Sequence, residues 1–166
     1  MTYVTFKLKN KITFIPKLYV MKKFYITSLL LFFLSSSSFS QNWLTNFNEA
    51  KKVALEKNQN IILVFQGSDW CAPCIKLDKE IWSTEEFNIL SKDHFVMIKA
   101  DFPRKKSNKL SAELSEQNAK LAETYNNQGF FPLVVVLDKN GTVLGKMGYE
   151  KLSPSTYFKK LTAFEI

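Results

Sequence analysis

Five consecutive apolar residues, Ile61-Ile62-Leu63-Val64-Phe65, constrain this chain more than any other feature. A strand with one face in water alternates apolar and polar residues, because successive side chains point to opposite faces. This run does not alternate, and it is short and rich in β-branched residues. It predicts a strand covered on both faces. Two further segments are predicted as strands, Phe95 to Ala100 and Pro132 to Leu137. A sheet of this kind needs helices against it on either side.

The intervening stretches supply those helices. Phe47, Ala50, Val53, Ala54 and Lys57 keep a helical rhythm, which predicts a helix from Asn46 to about Lys57, ended by Asn58-Gln59-Asn60. Ile75, Leu77, Ile81 and Trp82 follow at mixed helical spacing. Ser83-Thr84-Glu85-Glu86 has the form of a capping box and restarts a helix toward Leu90. Leu110, Leu114, Leu121 and Ala122 mark another helix to about Tyr125. Asp138-Lys139-Asn140-Gly141 reads as a hairpin turn with Asn140-Gly141 suited to positive φ, and Thr142 to Gly148 returns as the partner strand. Ser153-Pro154 reads as the N-cap and first residue of a last helix through Phe164. The fold class is α/β, a mixed central β-sheet flanked by helices on both faces. Trp43, Trp82 and the phenylalanines are assigned to the core, and His94 to the surface or a strand edge.

The chain is basic overall, at +8, but the charge is unevenly placed. Residues 1–40 hold six of the 23 basic residues and no acid, which leaves 17 basic against 15 acidic residues in 41–166. No nucleic-acid partner is expected for so balanced a domain. The basic segment reads as an address. Met21-Lys22-Lys23-Phe24-Tyr25 is a short basic region, Ile26 to Leu34 a nine-residue apolar core, and Ser38 and Ser40 are small residues before Gln41. That is the pattern of a secretory signal peptide over 21–40. Its apolar core is shorter than the about 20 residues that span a bilayer, so no stable membrane insertion is expected after cleavage. Residues 1–20 read as an over-extended start or a long basic region, with Met21 the better initiator. The mature domain is 41–166, and it is expected to be exported, to the periplasm.

Export places the two cysteines where disulfides persist. Cys71 and Cys74 lie at the start of a predicted helix, just after the first buried strand. The i, i+3 spacing puts both on one face. Free N–H groups and the helix dipole at that terminus favour a thiolate on Cys71, which can attack a disulfide, with Cys74 one turn deeper to resolve the product. Pro73 fits the first turn, where a missing N–H costs little. As a structural staple, a bridge over about four residues yields only about 2 kcal/mol, against about 4.7 for a hundred-residue loop. A metal site would need more ligands than His94 and the methionines offer.

Trp70-Cys71-Ala72-Pro73-Cys74, set between strand and helix, resembles the active site of the thioredoxin superfamily. The resemblance covers nearly all of 41–166 and implies the thioredoxin fold. Phe131-Pro132 stands where that family carries a cis-proline facing the cysteines, and the residue before it, Phe131, offers its backbone to a bound peptide. Trp70 would cover the site and give substrate a flat apolar contact. The segment Gly67 to Cys71, Ile98 to Pro103, the basic loop Arg104 to Lys109 and the long following helix resemble exported bacterial members. Two positions depart from the pattern. Phe65 replaces the family's buried carboxylate and Met97 its supporting lysine, so the proton relay of the second cysteine does not carry over; Asp69, next to the motif, reads first as a surface loop residue and second as a substitute.

The expected function is exported thiol–disulfide oxidoreduction through Cys71 and Cys74, with Trp70, Phe131 and Pro132 binding substrate. The resemblance of the histidine-free Ala72-Pro73 pair to the Gly-Pro motif of reducing thioredoxins favours a reductase. No cofactor is expected beyond the redox-active cysteine pair. The partners are cysteine pairs on other proteins and, as the resemblance implies, a membrane thiol transporter as electron donor. A monomer is favoured. Net oxidase or isomerase action, a non-catalytic peptide-binding module and a copper-handling protein remain alternatives.

Overall fold

The computed structural model describes residues 42–165. The expectations for the start site and for the signal segment 21–40 lie outside the described residues. In chain order the elements are β1 (Trp43–Leu44), α1 (Phe47–Lys57), β2 (Asn60–Gln66), α2 (Ala72–Leu77), α3 (Glu85–Ser91), β3 (Phe95–Asp101), α4 (Ala112–Tyr125), β4 (Leu133–Leu137), β5 (Val143–Met147) and α5 (Pro154–Thr162). The sheet order is β1-β3-β2-β4-β5. β1, β3 and β2 run parallel, while β4 is antiparallel to both β2 and β5. This is the mixed sheet expected from the sequence, with β2 at its centre.

The uninterrupted apolar run behaves as predicted. Ile61, Leu63 and Phe65 face one layer, with Ala50 and Ala54 of α1 and Leu121 of α4. Ile62 and Val64 face the other, with Leu77, Phe87 of α3 and Tyr157 of α5. All five residues of the run are 0% exposed. Both layers contribute full side-chain burial, roughly 1.5–3 kcal/mol for each large apolar residue.

Local signals set the helix ends. The Asn46 side chain accepts the Glu49 N–H at 3.0 Å to cap α1, and Asn58 ends it in the left-handed region at φ 52°. Ser153 caps α5 by accepting from Thr156 N, with Pro154 next. The mixed spacing after Cys74 has a definite cause. Beyond Leu77 the helix widens into a π-turn over Asp78–Trp82, closed by Ser83 N–H donating to Asp78 O at 2.8 Å. The wider turn brings Ile81 and Trp82 into the layer that Leu77 occupies, at 0% and 2% exposure.

Several expectations are corrected. The cap of α3 is Thr84, which accepts from Phe87 N, because Ser83 closes the π-turn and bonds Asp78 instead. The hairpin needs positive φ only at Gly141 (φ 97°). Asp138 O accepts Gly141 N–H, and the Asp138 carboxylate takes the Asn140 and Thr142 N–H groups. The helix expected from Leu110 starts at Ala112, behind the Ser111 cap. Trp43 is half-buried rather than core, since it lies in β1, a two-residue edge strand not foreseen. Phe130 is 57% exposed, against its assignment to the core. His94 is on the surface, its Nε2 2.7 Å from Glu165 Oε2.

Candidate active site

The first strand–helix junction delivers the cysteines. β2 ends at Gln66, and Gly67 O accepts the Trp70 and Cys71 N–H groups at 3.3 and 2.9 Å, turning the chain back over the strand end. Cys71 is the N-cap of α2, with extended φ and ψ, and its sulfur accepts the Cys74 N–H at 3.3 Å. That contact places the Cys71 sulfur at the helix cap, next to a backbone donor. Cys71 and Cys74 are joined as a disulfide, with S–S 2.06 Å and Cα–Cα 5.2 Å, and each is 4% exposed.

Asp101 shapes the loop before the cysteines, its carboxylate accepting Ser68 N and Ser68 Oγ at 2.9 and 2.6 Å. Trp70 is half-buried. Its Nε1 donates to Phe102 O at 2.7 Å, its ring lies 5.5 Å from that of Phe131, and the Arg104 guanidinium sits 3.7 Å above it. Phe65 explains the missing carboxylate. Its ring stacks on Phe102 at 6.5 Å, and Phe102 meets Phe131 at 5.4 Å. The position is part of an aromatic column that rises from the core to Trp70, where a charged group would be unpaired.

Asp69 is not a relay either. Its carboxylate accepts the backbone N–H groups of Arg104 and Lys105 and Asn108 Nδ2, each at 2.9 Å. Those bonds, led by Arg104 N–H, hold its carboxyl below the usual carboxylate range, so it stays ionised as the clamp of the basic loop. A different carboxylate shares a cavity with Cys74. A cavity of about 200 Å³ is lined by Gln66, Ser68, Cys74, Ile75, Asp78 and Lys99. Lys99 Nζ lies 3.2 Å from Asp78 Oδ1 and 4.3 Å from the Trp43 ring centroid. Sequence reasoning missed this pair. Asp78 falls one turn after Cys74, and that spacing was the available signal.

Phe131–Pro132 is a cis peptide bond at the start of β4. A second unforeseen residue shapes its approach. Asn126 is 4% exposed, and its side chain makes two bonds to Phe130, Nδ2 donating to O and Oδ1 accepting from N, both at 2.9 Å. Gly129 completes the loop at φ 69°. Trp70 and Phe131 are therefore brought together, with Pro132 next in the chain. Among the described residues, no group of three or more His, Cys, Asp or Glu is placed to hold a metal ion.

A sequence profile described as thioredoxin-like matches residues 42–139. The chain belongs to the thioredoxin-like family. Among its relatives, a disulfide bond reductase of Chlamydia pneumoniae, DsbH, is 34% identical over 116 residues, which is 70% of this chain and 68% of the relative. A solved structure of a DsbH oxidoreductase is 31% identical with a TM-score of 0.70, over 75% of this chain and 84% of that one. A disulphide isomerase from Xylella fastidiosa, 22% identical with a TM-score of 0.53 over 72% of this chain and 88% of that one, shares the fold. Within a thioredoxin-like fold, a buried cysteine pair at a helix N-cap is built for thiol–disulfide exchange.

Proposed function

We propose that this chain is an exported reductase of protein disulfides. The bonded Cys71–Cys74 pair, with Cys71 at the cap of α2, carries the reading. In the reduced protein the Cys71 thiolate attacks one sulfur of a client disulfide and expels the other as a thiolate. Cys74 then loses its proton, attacks Cys71 Sγ and frees the second client sulfur. Two electrons pass to the client, whose two thiolates take up protons from Asp78 and solvent, and the protein regains its disulfide. Asp78, paired with Lys99 across the cavity that Cys74 lines, is the acceptor for the Cys74 proton. Trp70 and Phe131 form the apolar contact for the client chain, which approaches beside Pro132.

Two features support the reducing direction: the histidine-free Ala72-Pro73 pair and the similarity to a relative named as a reductase. A reductase in an oxidising compartment needs electrons from elsewhere, and a membrane thiol transporter is the donor class that fits. The signal pattern over 21–40 supports export to the periplasm. The test is the reduction potential of the pair in thiol redox buffers. A value near about −270 mV supports the reductase, and one near about −120 mV makes the protein an oxidant. If no reversible disulfide forms, exchange chemistry is refuted.

A further inference from the structure

Disulfide exchange as described leaves the segment after β3 unused. Arg104, Lys105, Lys106 and Lys109 all line one cavity of about 290 Å³. Among the described residues none of the four makes an ion pair. The carboxylate that lines the same cavity, Asp101, is engaged by Ser68 N and Ser68 Oγ. Asp69, the other nearby acid, faces the backbone of the segment and Asn108. Four cations therefore line a cavity with one carboxylate in its lining, and that carboxylate already carries hydrogen bonds.

The segment is fixed in place beside the cysteines. Asp69, two residues before Cys71, holds the Arg104 and Lys105 backbone, and the Arg104 guanidinium covers the ring of Trp70, the residue before Cys71. A held segment loses little conformational entropy when a ligand docks. The chemistry favours a chain of carboxylates over one small oxyanion. A small oxyanion is best bound by converging backbone N–H groups, and those of Arg104 and Lys105 are already given to Asp69. What remains is four separate side-chain cations at one cavity, a chemistry that suits several carboxylates carried on one polypeptide.

We propose that this cavity docks an acidic stretch of the client polypeptide, next to the cysteine that Cys71 attacks. The proposal rests on the reductase reading and adds its substrate class. Binding there steers the client to the site, an effect that salt screens over a Debye length of about 10 Å at 0.1 M.

The experiment follows single turnovers of the pre-reduced protein with two synthetic disulfide peptides that differ only in flanking Glu or Gln residues. A small neutral disulfide serves as control. The wild type is expected to react about tenfold faster with the Glu peptide, with the advantage fading as salt rises. Lys105→Ser, Lys106→Ser and Lys109→Ser together should abolish the preference, and the three Lys→Glu replacements should invert it. All variants should keep the wild-type rate on the small disulfide, which shows that they are folded. Equal rates on both peptides, with both reduced, overturn the docking proposal and leave the reductase intact. If neither peptide nor the small disulfide reacts, the reductase reading falls and the proposal with it.

Discussion

Gly67→Ala should damage the active-site cover without touching a cysteine. A Cβ added at Gly67 would lie 2.6 Å from Trp70 Cζ2, with Cε2 and Nε1 of the same ring nearer still. Ordinary contact begins at 3.4 Å, so the ring must retreat by about 1 Å. It has little room, because Nε1 is bonded to Phe102 O and the ring is held between Arg104 and Phe131. Overpacking of this kind costs about 1–3 kcal/mol, and loss of the Nε1 bond about 1 kcal/mol of that range. A loss near 2 kcal/mol lowers Tm by roughly 8 °C in a domain of this size. Urea unfolding and thermal melts measure the stability, and peptide reduction should slow in parallel. A double-mutant cycle isolates the cause: in a Trp70→Ala background, Gly67→Ala should be close to neutral. A loss below about 0.5 kcal/mol, or the same loss without Trp70, refutes the reasoning.

In the reduced protein Cys71 should alkylate with a midpoint below about 8.5 and Cys74 with a higher one, and Cys74 reacting first contradicts their roles. Asp78→Asn should leave formation of the mixed disulfide unchanged and slow its resolution at least about tenfold near pH 7, with the resolving step moving to higher pH. An unchanged rapid-quench pH profile removes Asp78 as proton acceptor. Asn126→Ala should cost about 1–3 kcal/mol in urea unfolding, because Phe130 N–H and C=O lose their partner. Loss within 0.5 kcal/mol would mean that solvent replaces both bonds.

The elements legible in the sequence are those whose cause is local. The run at 61–65 announces its strand because burial on both faces removes the need for polar residues. Cys71 is legible because helix N-caps favour a sulfur anion. Longer-range causes leave no such trace. β1 is two residues, placed by pairing with Met97 and Ile98 of β3 and by the contacts of Trp43 with Trp82 and Lys99. The π-turn shows only as irregular spacing. Asn126 braces a loop that neighbours an exposed phenylalanine, and an isolated Asn after a helix reads simply as a stop. The placements of Asp69 and Asp78 are hidden for the same reason. Adjacency to the motif favours Asp69, but the fold sends its carboxylate to the basic loop and brings Asp78 to the Cys74 cavity.

The margins of the sheet bear on how the protein behaves when crowded. An open strand edge invites another chain to pair with it, and long apolar edges aggregate. Here β1 covers β3 at Met97 and Ile98, and beyond it Asn118 Nδ2 occupies the carbonyl of Asp101. At the opposite margin β5 presents Lys146, which reaches across to Tyr125 O, and Gly145 lies against the ring of Phe164. Each border is short, charged or covered. A chain that exchanges thiols and disulfides with other polypeptides thereby offers them little open strand edge to extend.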